Sequence, residues 1–334
     1  MNGDTRARLF GYSRAFDLPV VAAVSGAILL LLIITPLLIW LLVMTGKVSN
    51  IHRRELMLRY YSWLVLTPLL LLPILAGAAW TILGVGVLSL VCYREFARAV
   101  GLFREKLISL LVAAGILAIT FAVIDNWYAF FVALTPITIS IIAAAAILQD
   151  QPKGYIERVA LGVLAFVLFG SSFGHLGFFA NDPHYRGYLI LILLCVEMND
   201  VFAYISGKTI GRRKLAPNTS PNKTLGGALG ALLFTTLLVC ALGSFVFAGT
   251  VLASWHHLLT LGILISIGGQ FGDLMMSSIK RDLGIKDMGV TIPGHGGFLD
   301  RFDSIILVAP AVFHYVNYFV GIGPEQARRI ISGG

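Results

Sequence analysis

Apolar segments without a single charged residue recur along the whole chain, and the charges are concentrated in the short stretches between them. Each segment reaches the roughly 18 residues that a helix needs to cross the hydrocarbon core of a bilayer. Helices satisfy their own backbone hydrogen bonds in lipid, so this alternation predicts a polytopic α-helical membrane protein. The seven uncharged runs are 18–46, 60–93, 107–124, 126–149, 159–181, 224–272 and 304–324.

Two of these runs are too long for one crossing. Residues 60–93 would form a helix of about 51 Å, against a hydrocarbon core of about 30 Å. We therefore predict two spans that meet near Gly77, and we divide 224–272 in the same way. The segment 187–206 adds one more span. The predicted fold is an all-α transmembrane bundle of about ten spans.

Composition and charge agree with this class. Of the 334 residues 57% are hydrophobic and only 13% are charged, against roughly 25% charged in soluble domains. The net charge of +8 is expected to reflect anionic headgroups and membrane topology, and we predict no nucleic-acid partner. The cysteines Cys92, Cys195 and Cys240 lack the spacing of a metal site and are predicted to be buried apolar side chains.

The distribution of basic residues predicts the orientation. Alternate loops on one side of the ten-span arrangement collect 19 of the 25 lysines and arginines. By the positive-inside rule this side faces the cytoplasm, and the protein is expected in the inner (cytoplasmic) membrane. The loops on this side are 46–60, 94–106, 149–158, 207–224 and 279–303.

Three acidic residues fall within or at the ends of predicted spans, namely Glu197, Asp200 and Asp273. A charged side chain in the membrane is costly unless it is paired or hydrated, so such residues are functional candidates. An ion pair with a neighbouring helix is the structural alternative. A polar cavity that opens to the cytoplasm in the C-terminal half would accommodate all three.

The segment 207–224 carries five basic residues and no acid. A topology signal in contact with anionic lipid explains Arg212, Arg213 and Lys214 adequately. The Ser220-Pro-Asn-Lys-Thr224 stretch differs, because hydroxyl groups and Lys223 come directly before a glycine-rich helix start. Backbone N–H groups at a helix N-terminus together with a lysine suit a phosphate.

The segment from Ser277 to Asp303 is predicted as a loop that holds cations and carboxylates around a Pro-Gly-His-Gly-Gly turn. Cations for phosphate oxygens beside carboxylates for a divalent ion are typical of phosphoryl or nucleotidyl transfer. The alternative is a solvated loop whose acids neutralise its bases, but such a loop does not require these glycines. Twelve residues stand out by type and spacing: Ser277, Lys280, Arg281, Lys286, Asp287, Pro293, His295, Gly296, Gly297, Asp300, Arg301 and Asp303.

This pattern resembles the signature of the integral-membrane phosphatidate cytidylyltransferases, or CDP-diacylglycerol synthases. Asp200 with Ala203-Tyr204, and the stretch 211–224, are similar to a second region of that family, and Arg94-Glu95-Phe96 looks like a third feature. One departure is visible. Gly226 stands where the family usually has Glu. Two questions are left open: what role that carboxylate has in the family, and whether its absence here marks a different lipid acceptor.

The resemblance implies transfer of CMP from CTP to phosphatidic acid, giving CDP-diacylglycerol and pyrophosphate. It implies Mg2+ on Asp273 and Asp300, with Asp287 and Asp303 as further ligands or orienting groups. A second cation and a homodimer are left open. The implied catalytic residues are Lys223, Lys280, Arg281, Lys286, His295 and Arg301, and the implied substrate-binding residues are Ser220, Thr224, Ser277 and Asp200.

We expect residues 1–180 to form a scaffold of helices and 181–334 to form the catalytic region, with the signature at 277–303. Two alternatives to the function remain. One is an enzyme of the same fold that uses CTP on another lipid phosphate or on a lipid alcohol. The other is a transporter, which would also use intramembrane acids in glycine-broken helices, but would show paired halves.

Overall fold

The chain folds into a bundle of long helices with one small hairpin. The computed structural model describes residues 3–46, 50–292 and 296–333, and side chains throughout these ranges except at 50, 51 and 55. The helices are α1 Gly3–Phe10, α2 Pro19–Met44, α3 Asn50–Ala76, α4 Ala78–Ala99, α5 Lys106–Ile124, α6 Tyr128–Ile147, α7 Tyr155–Ala165, α8 Phe173–Phe178, α9 Tyr185–Thr209, α10 Leu225–Val246, α11 Trp255–Asp282, α12 Leu299–Phe302 and α13 Ile305–Phe319. The strands are β1 Lys214–Ala216 and β2 Ser220–Thr224.

The predicted polytopic helical bundle is confirmed. Within the described ranges, nine helical segments are long and apolar enough to cross a membrane, and α13 is a shorter apolar helix. The segments α7 and α8 join through a π-helical stretch, Phe166–Ser172, into one span. The protein is therefore an integral membrane protein.

Both predicted divisions of the long apolar runs are present. Gly77 separates α3 from α4 with φ of 146°, a conformation that L side chains rarely adopt, and a Cβ there would lie 3.1 Å from the Cα of Phe10. The run 224–272 divides after α10, where the turn before α11 contains Gly249 with φ of 80°. In both cases a glycine with positive φ lies in the turn between two apolar helices.

Close helix packing joins α9, α10 and α11. A Cβ at Gly230 would clash with the Ser206 side chain of α9, and a Cβ at Gly262 would lie 2.6 Å from the Cα of Thr236. Small residues allow such approach of helices in lipid. Buried Asn199 also links the three helices, because its Oδ1 accepts hydrogen bonds from Thr235 Oγ1 at 3.0 Å and Ser266 Oγ at 2.7 Å.

Two local predictions need correction. The segment 207–224, predicted as a loop, ends in the antiparallel hairpin β1-β2, with Lys214 opposite Thr224. The helix α11 continues to Asp282, so the first part of the predicted loop from Ser277 is helical. Lys280 and Arg281 in its last turn favour this extension by interacting with the helix dipole, and Gly284 with φ of 67° follows its end.

Candidate active site

One face of α11 carries three polar side chains one turn apart. Asp273, Ser277 and Lys280 are spaced four and three residues apart, which places them on the same side of the helix. The hydroxyl of Ser277 donates a hydrogen bond to Asp273 Oδ1 at 3.1 Å. The predicted site residues of this stretch are therefore aligned by a regular helix and not by a loop.

The hairpin brings a second cation to this face. Lys223 on β2 forms an ion pair with Asp273, and both side chains are about one-fifth exposed. Arg281 Nε donates to the carbonyl oxygen of Thr219 at 3.3 Å, which ties the end of α11 to the hairpin turn. The hydroxyl of Thr224 caps α10 by accepting from the N–H of Gly227 at 3.1 Å. Ser220 is half-buried in the same strand.

Asp300, at the start of α12, is held from three directions. Its Oδ1 lies 2.9 Å from Lys280 Nζ, and its Oδ2 accepts hydrogen bonds from the N–H groups of Met288 and Gly297, each at 2.9 Å. Only 3% of its side chain is exposed. Gly296 has φ of 82°, and a Cβ there would lie 2.9 Å from Asp300 Oδ2, so glycine is required beside this carboxylate.

Asp303 adds a second buried carboxylate next to Lys280. Its Oδ2 is 4.0 Å from Lys280 Nζ, and its Oδ1 accepts from the backbone N–H of Ser304 at 2.8 Å. Burial, together with repulsion from Asp273, raises the pKa of Asp303 well above its ordinary value, although the charge of Lys280 opposes the shift. Lys280 thus faces two carboxylates, those of Asp300 and Asp303.

The acidic residues of α9 face the same region. Asp200 interacts electrostatically with Asp273 and Lys223, and Arg301 acts on both Asp200 and Glu197. Asp200 is exposed on the surface of the bundle and Glu197 is half-buried. Side chains from α9, β2, α11 and α12 thus form one group of alternating charges.

Some predicted residues lie elsewhere. Lys286 and Asp287 are exposed in the segment between α11 and α12. Asp287 nevertheless lies near Gly296, because a Cβ built on Gly296 would be 3.3 Å from Asp287 Oδ1. His295 and Pro293 fall outside the described residues. In the described part of the chain, no three His, Cys, Asp or Glu side chains come together as a preformed metal site.

Glu95, near the C-terminal end of α4, is not among the predicted site residues. The residue is 8% exposed, and its carboxylate accepts hydrogen bonds from the signature segment, including the N–H of Leu299 at 2.9 Å. The signal in the sequence that points to it is the stretch Arg94-Glu95-Phe96, which resembles a feature of the family and directly follows an uncharged run of 34 residues, 60–93. A partner about 200 residues away cannot be inferred from that signal.

The structure gives a packing reason for Gly226. A Cβ at this position would lie 3.0 Å from both the carbonyl oxygen of Ile210 and the Cα of Gly211. The first turn of α10 therefore packs directly against the backbone that follows α9. In this chain the position supports close contact between two elements of the site.

An apolar cavity of about 310 Å³ lies next to this group of charges. It follows one side of α4 from Thr81 to Val91 and ends against Phe298 and Phe302, which lie two positions on either side of Asp300. Its other walls come from α3, α8 and α9, and include Leu70, Pro73, Leu176, Leu189 and Leu193. Among the described residues that line it, Thr81 alone carries a hydroxyl, which donates hydrogen bonds to the carbonyl oxygens of Pro73 and Gly77.

Comparisons with known proteins agree with the sequence resemblance. A model described as the cytidylyltransferase family matches residues 57–319. Among similar curated proteins, the uncharacterized protein YnbB of Escherichia coli is 31% identical over 73% of this chain and 82% of its own length. The phosphatidate cytidylyltransferase of Helicobacter pylori is 33% identical over 74% of this chain and 85% of its own length. The enzyme of that name from Staphylococcus saprophyticus is 38% identical over 51% of this chain, and this match spans 66% of the relative, just under two thirds.

Proposed function

Because the chain belongs to the cytidylyltransferase family, we propose that it transfers CMP from CTP to phosphatidic acid. An oxygen of the lipid phosphate attacks the α-phosphorus of CTP, and the bond from that phosphorus to the bridging oxygen of the β-phosphate breaks. The products are CDP-diacylglycerol and pyrophosphate. The observation that carries this proposal is the group of paired lysines and aspartates beside an apolar cavity.

The charged group suits a reaction between phosphates. A phosphomonoester with a second pKa of about 6 is already largely dianionic at neutral pH, so the acceptor needs no dedicated base. Positioning and charge neutralisation then supply the catalysis. Lys223, Lys280 and Arg301 are the cations closest to the acidic residues and would contact phosphate oxygens. Ser277 would orient Asp273.

We propose Mg2+ as the cofactor. Magnesium is commonly held by one or two protein carboxylates together with substrate phosphates, so a cluster of three protein ligands is not required. Asp273 and Asp300 would hold it, with Asp303 and Asp287 nearby. When bound, the ion would neutralise charge on the phosphate oxygens.

The cavity suits one acyl chain of the lipid acceptor. Thr81 to Val91 span about 15 Å along α4, so a volume of about 310 Å³ corresponds to a mean cross-section of about 20 Å², enough for a single hydrocarbon chain. Its end at Phe298 and Phe302 would place the polar end of such a lipid beside Asp300 and Lys280. A lipid bound there would reach both the membrane interior and the charged group.

Gly84 offers a direct test of this acceptor site. It lines the cavity, and the side chain of Pro73 would lie 3.4 Å from an added Cβ, so a larger side chain would extend into the space. We expect Gly84→Leu to lower transfer from CTP to dioleoyl phosphatidic acid about tenfold, the effect of a few lost methylene contacts. Transfer to dihexanoyl phosphatidic acid should change little, and Gly84→Ala is the matched control. Equal activity of the wild type with glycerol 3-phosphate and with the lipids would contradict a lipid acceptor.

We propose that the charged group faces the cytoplasm. The basic segments 207–224 and 279–303 support this orientation. Cysteines placed at exposed Asn218 and Val290 should be protected from a membrane-impermeant maleimide in intact cells, whereas one at exposed Tyr12 should be labelled. The natural cysteines lie within α4, α9 and α10, which keeps background labelling low. Labelling of Asn218→Cys from outside, with Tyr12→Cys protected, would reverse the orientation.

A further inference from the structure

The carboxylate of Glu95 is surrounded by hydrogen-bond donors from the segment between α11 and α12. Oε1 accepts from Thr291 Oγ1 at 2.7 Å and from the N–H of Phe298 at 3.1 Å, and Oε2 accepts from the N–H of Leu299 at 2.9 Å. Hydrogen bonds to an ionised acceptor are roughly twice as strong as those between neutral groups. A residue of α4 therefore holds a segment that lies about 200 positions further along the chain.

Two glycines make room for this carboxylate. A Cβ at Gly289 would lie 2.8 Å from Glu95 Oε1, and a Cβ at Gly297 would lie 2.8 Å from Glu95 Cδ. Real Cβ atoms do not approach other atoms so closely. Glycine is therefore required at both positions for a reason other than turn formation, because the backbone passes close to the Glu95 side chain on two sides.

The same segment also encloses Asp300. The N–H of Gly297 and the N–H of Met288 donate to Asp300 Oδ2, while the next two N–H groups, of Phe298 and Leu299, donate to Glu95. Three consecutive backbone donors are thus divided between two buried carboxylates. The position of Asp300 depends on the path of this backbone, and Glu95 fixes that path.

We infer that Glu95 is a positioning residue, which holds residues 288–292 and 296–299 in the conformation that places Asp300 beside Lys280. The contact between Glu95 and the segment stands on the geometry alone. Its effect on the reaction rests on the proposed function. Glu95 itself is directed to backbone and hydroxyl donors and acts on the site through Asp300.

The donor pattern requires a carboxylate at this position. In Glu95→Gln one oxygen could still accept from the N–H of Phe298, but the new NH2 group would face the N–H of Leu299, so that two donors meet. In Glu95→Asp the side chain is one methylene shorter and cannot reach both donors. A glutamine is therefore not a conservative replacement here, in contrast to an exposed glutamate.

Hydrogen–deuterium exchange of the full-length protein in detergent tests the inference. In Glu95→Gln the amides of Phe298 and Leu299 should exchange at least about tenfold faster, the factor expected from loss of one charge-assisted hydrogen bond. Exchange in α11 and α13 should stay unchanged. Thr291→Val, which removes only the hydroxyl donor, is the matched control and should have a smaller effect. Unchanged exchange at 298–299, or faster exchange across all helices alike, would overturn the inference.

Kinetics separate this inference from the proposed function. With wild-type activity established, Glu95→Gln should raise the Mg2+ concentration for half-maximal activity about tenfold while the KM for phosphatidic acid stays the same. A fall in kcat with an unchanged Mg2+ requirement would indicate a purely structural role and contradict the inference. If the wild type showed no transfer from CTP but the exchange pattern changed as described, only the proposed function would fail.

Discussion

Replacement of Asp300 by Asn is expected to lower turnover by about 10³-fold, the loss typical of removing one preorganised electrostatic group, and Asp273→Asn should do the same. Asn keeps an oxygen that can accept from the N–H groups of Met288 and Gly297, so the backbone around position 300 can persist. What is lost is the negative charge proposed to hold Mg2+. Circular dichroism and size-exclusion profiles in detergent should match those of the wild type.

The double variant tests whether the two carboxylates act on one ion. If they do, Asp273→Asn combined with Asp300→Asn should be scarcely slower than either single variant, because residues that work as a unit show non-additive losses. Asp282→Asn, at the exposed end of α11, is the control and should retain activity. Multiplicative losses in the double variant would show that the two residues act separately.

Loss of Lys280 should affect stability as well as activity. Lys280 lies between two buried carboxylates, with 12% of its side chain exposed against 3% for Asp300 and 10% for Asp303. Removing one partner of a buried ion pair leaves an uncompensated charge and costs about 3–5 kcal/mol. Lys280→Met should therefore lower both turnover and the midpoint of thermal unfolding. Lys208→Met, at the exposed end of α9, should change neither.

A compensating variant separates the two effects of Lys280. Lys280→Met combined with Asp300→Asn removes both charges of the pair, so much of the lost thermal stability should return. Turnover should not return, because both groups are proposed to act on the phosphates and the metal. Recovery of activity together with stability would show that the pair has only a structural role.

The helical framework can be predicted because the bilayer restricts the choices. Uncharged runs longer than one crossing must divide, and Gly77 marks one division with a backbone conformation available to glycine. The pairing of Lys280 with Asp300, by contrast, follows from the extension of α11 to Asp282, which the sequence pattern does not reveal. The last turn of α11 is polar, so the apolar pattern that predicts the helix stops before the helix itself ends.

Contacts between distant parts of the chain account for what the sequence pattern does not show. The pattern indicates a turn around Gly297, whereas this glycine and Gly289 also accommodate Glu95 from α4. The pattern indicates a loop over 207–224, yet the hairpin there carries Lys223 to Asp273 on α11. Each arrangement depends on a partner in another helix, and one sequence alone gives no distance between them.

Label transfer from CTP tests the central claim most directly. Purified protein, Mg2+ and dioleoyl phosphatidic acid are incubated with CTP that carries 32P at either the α or the γ position, and the lipid is then extracted. We predict that the α label enters the lipid as CDP-diacylglycerol and that the γ label is released as pyrophosphate. Entry of the γ label into the lipid would instead show a kinase, and failure of both labels to enter any lipid would contradict the proposed cytidylyl transfer.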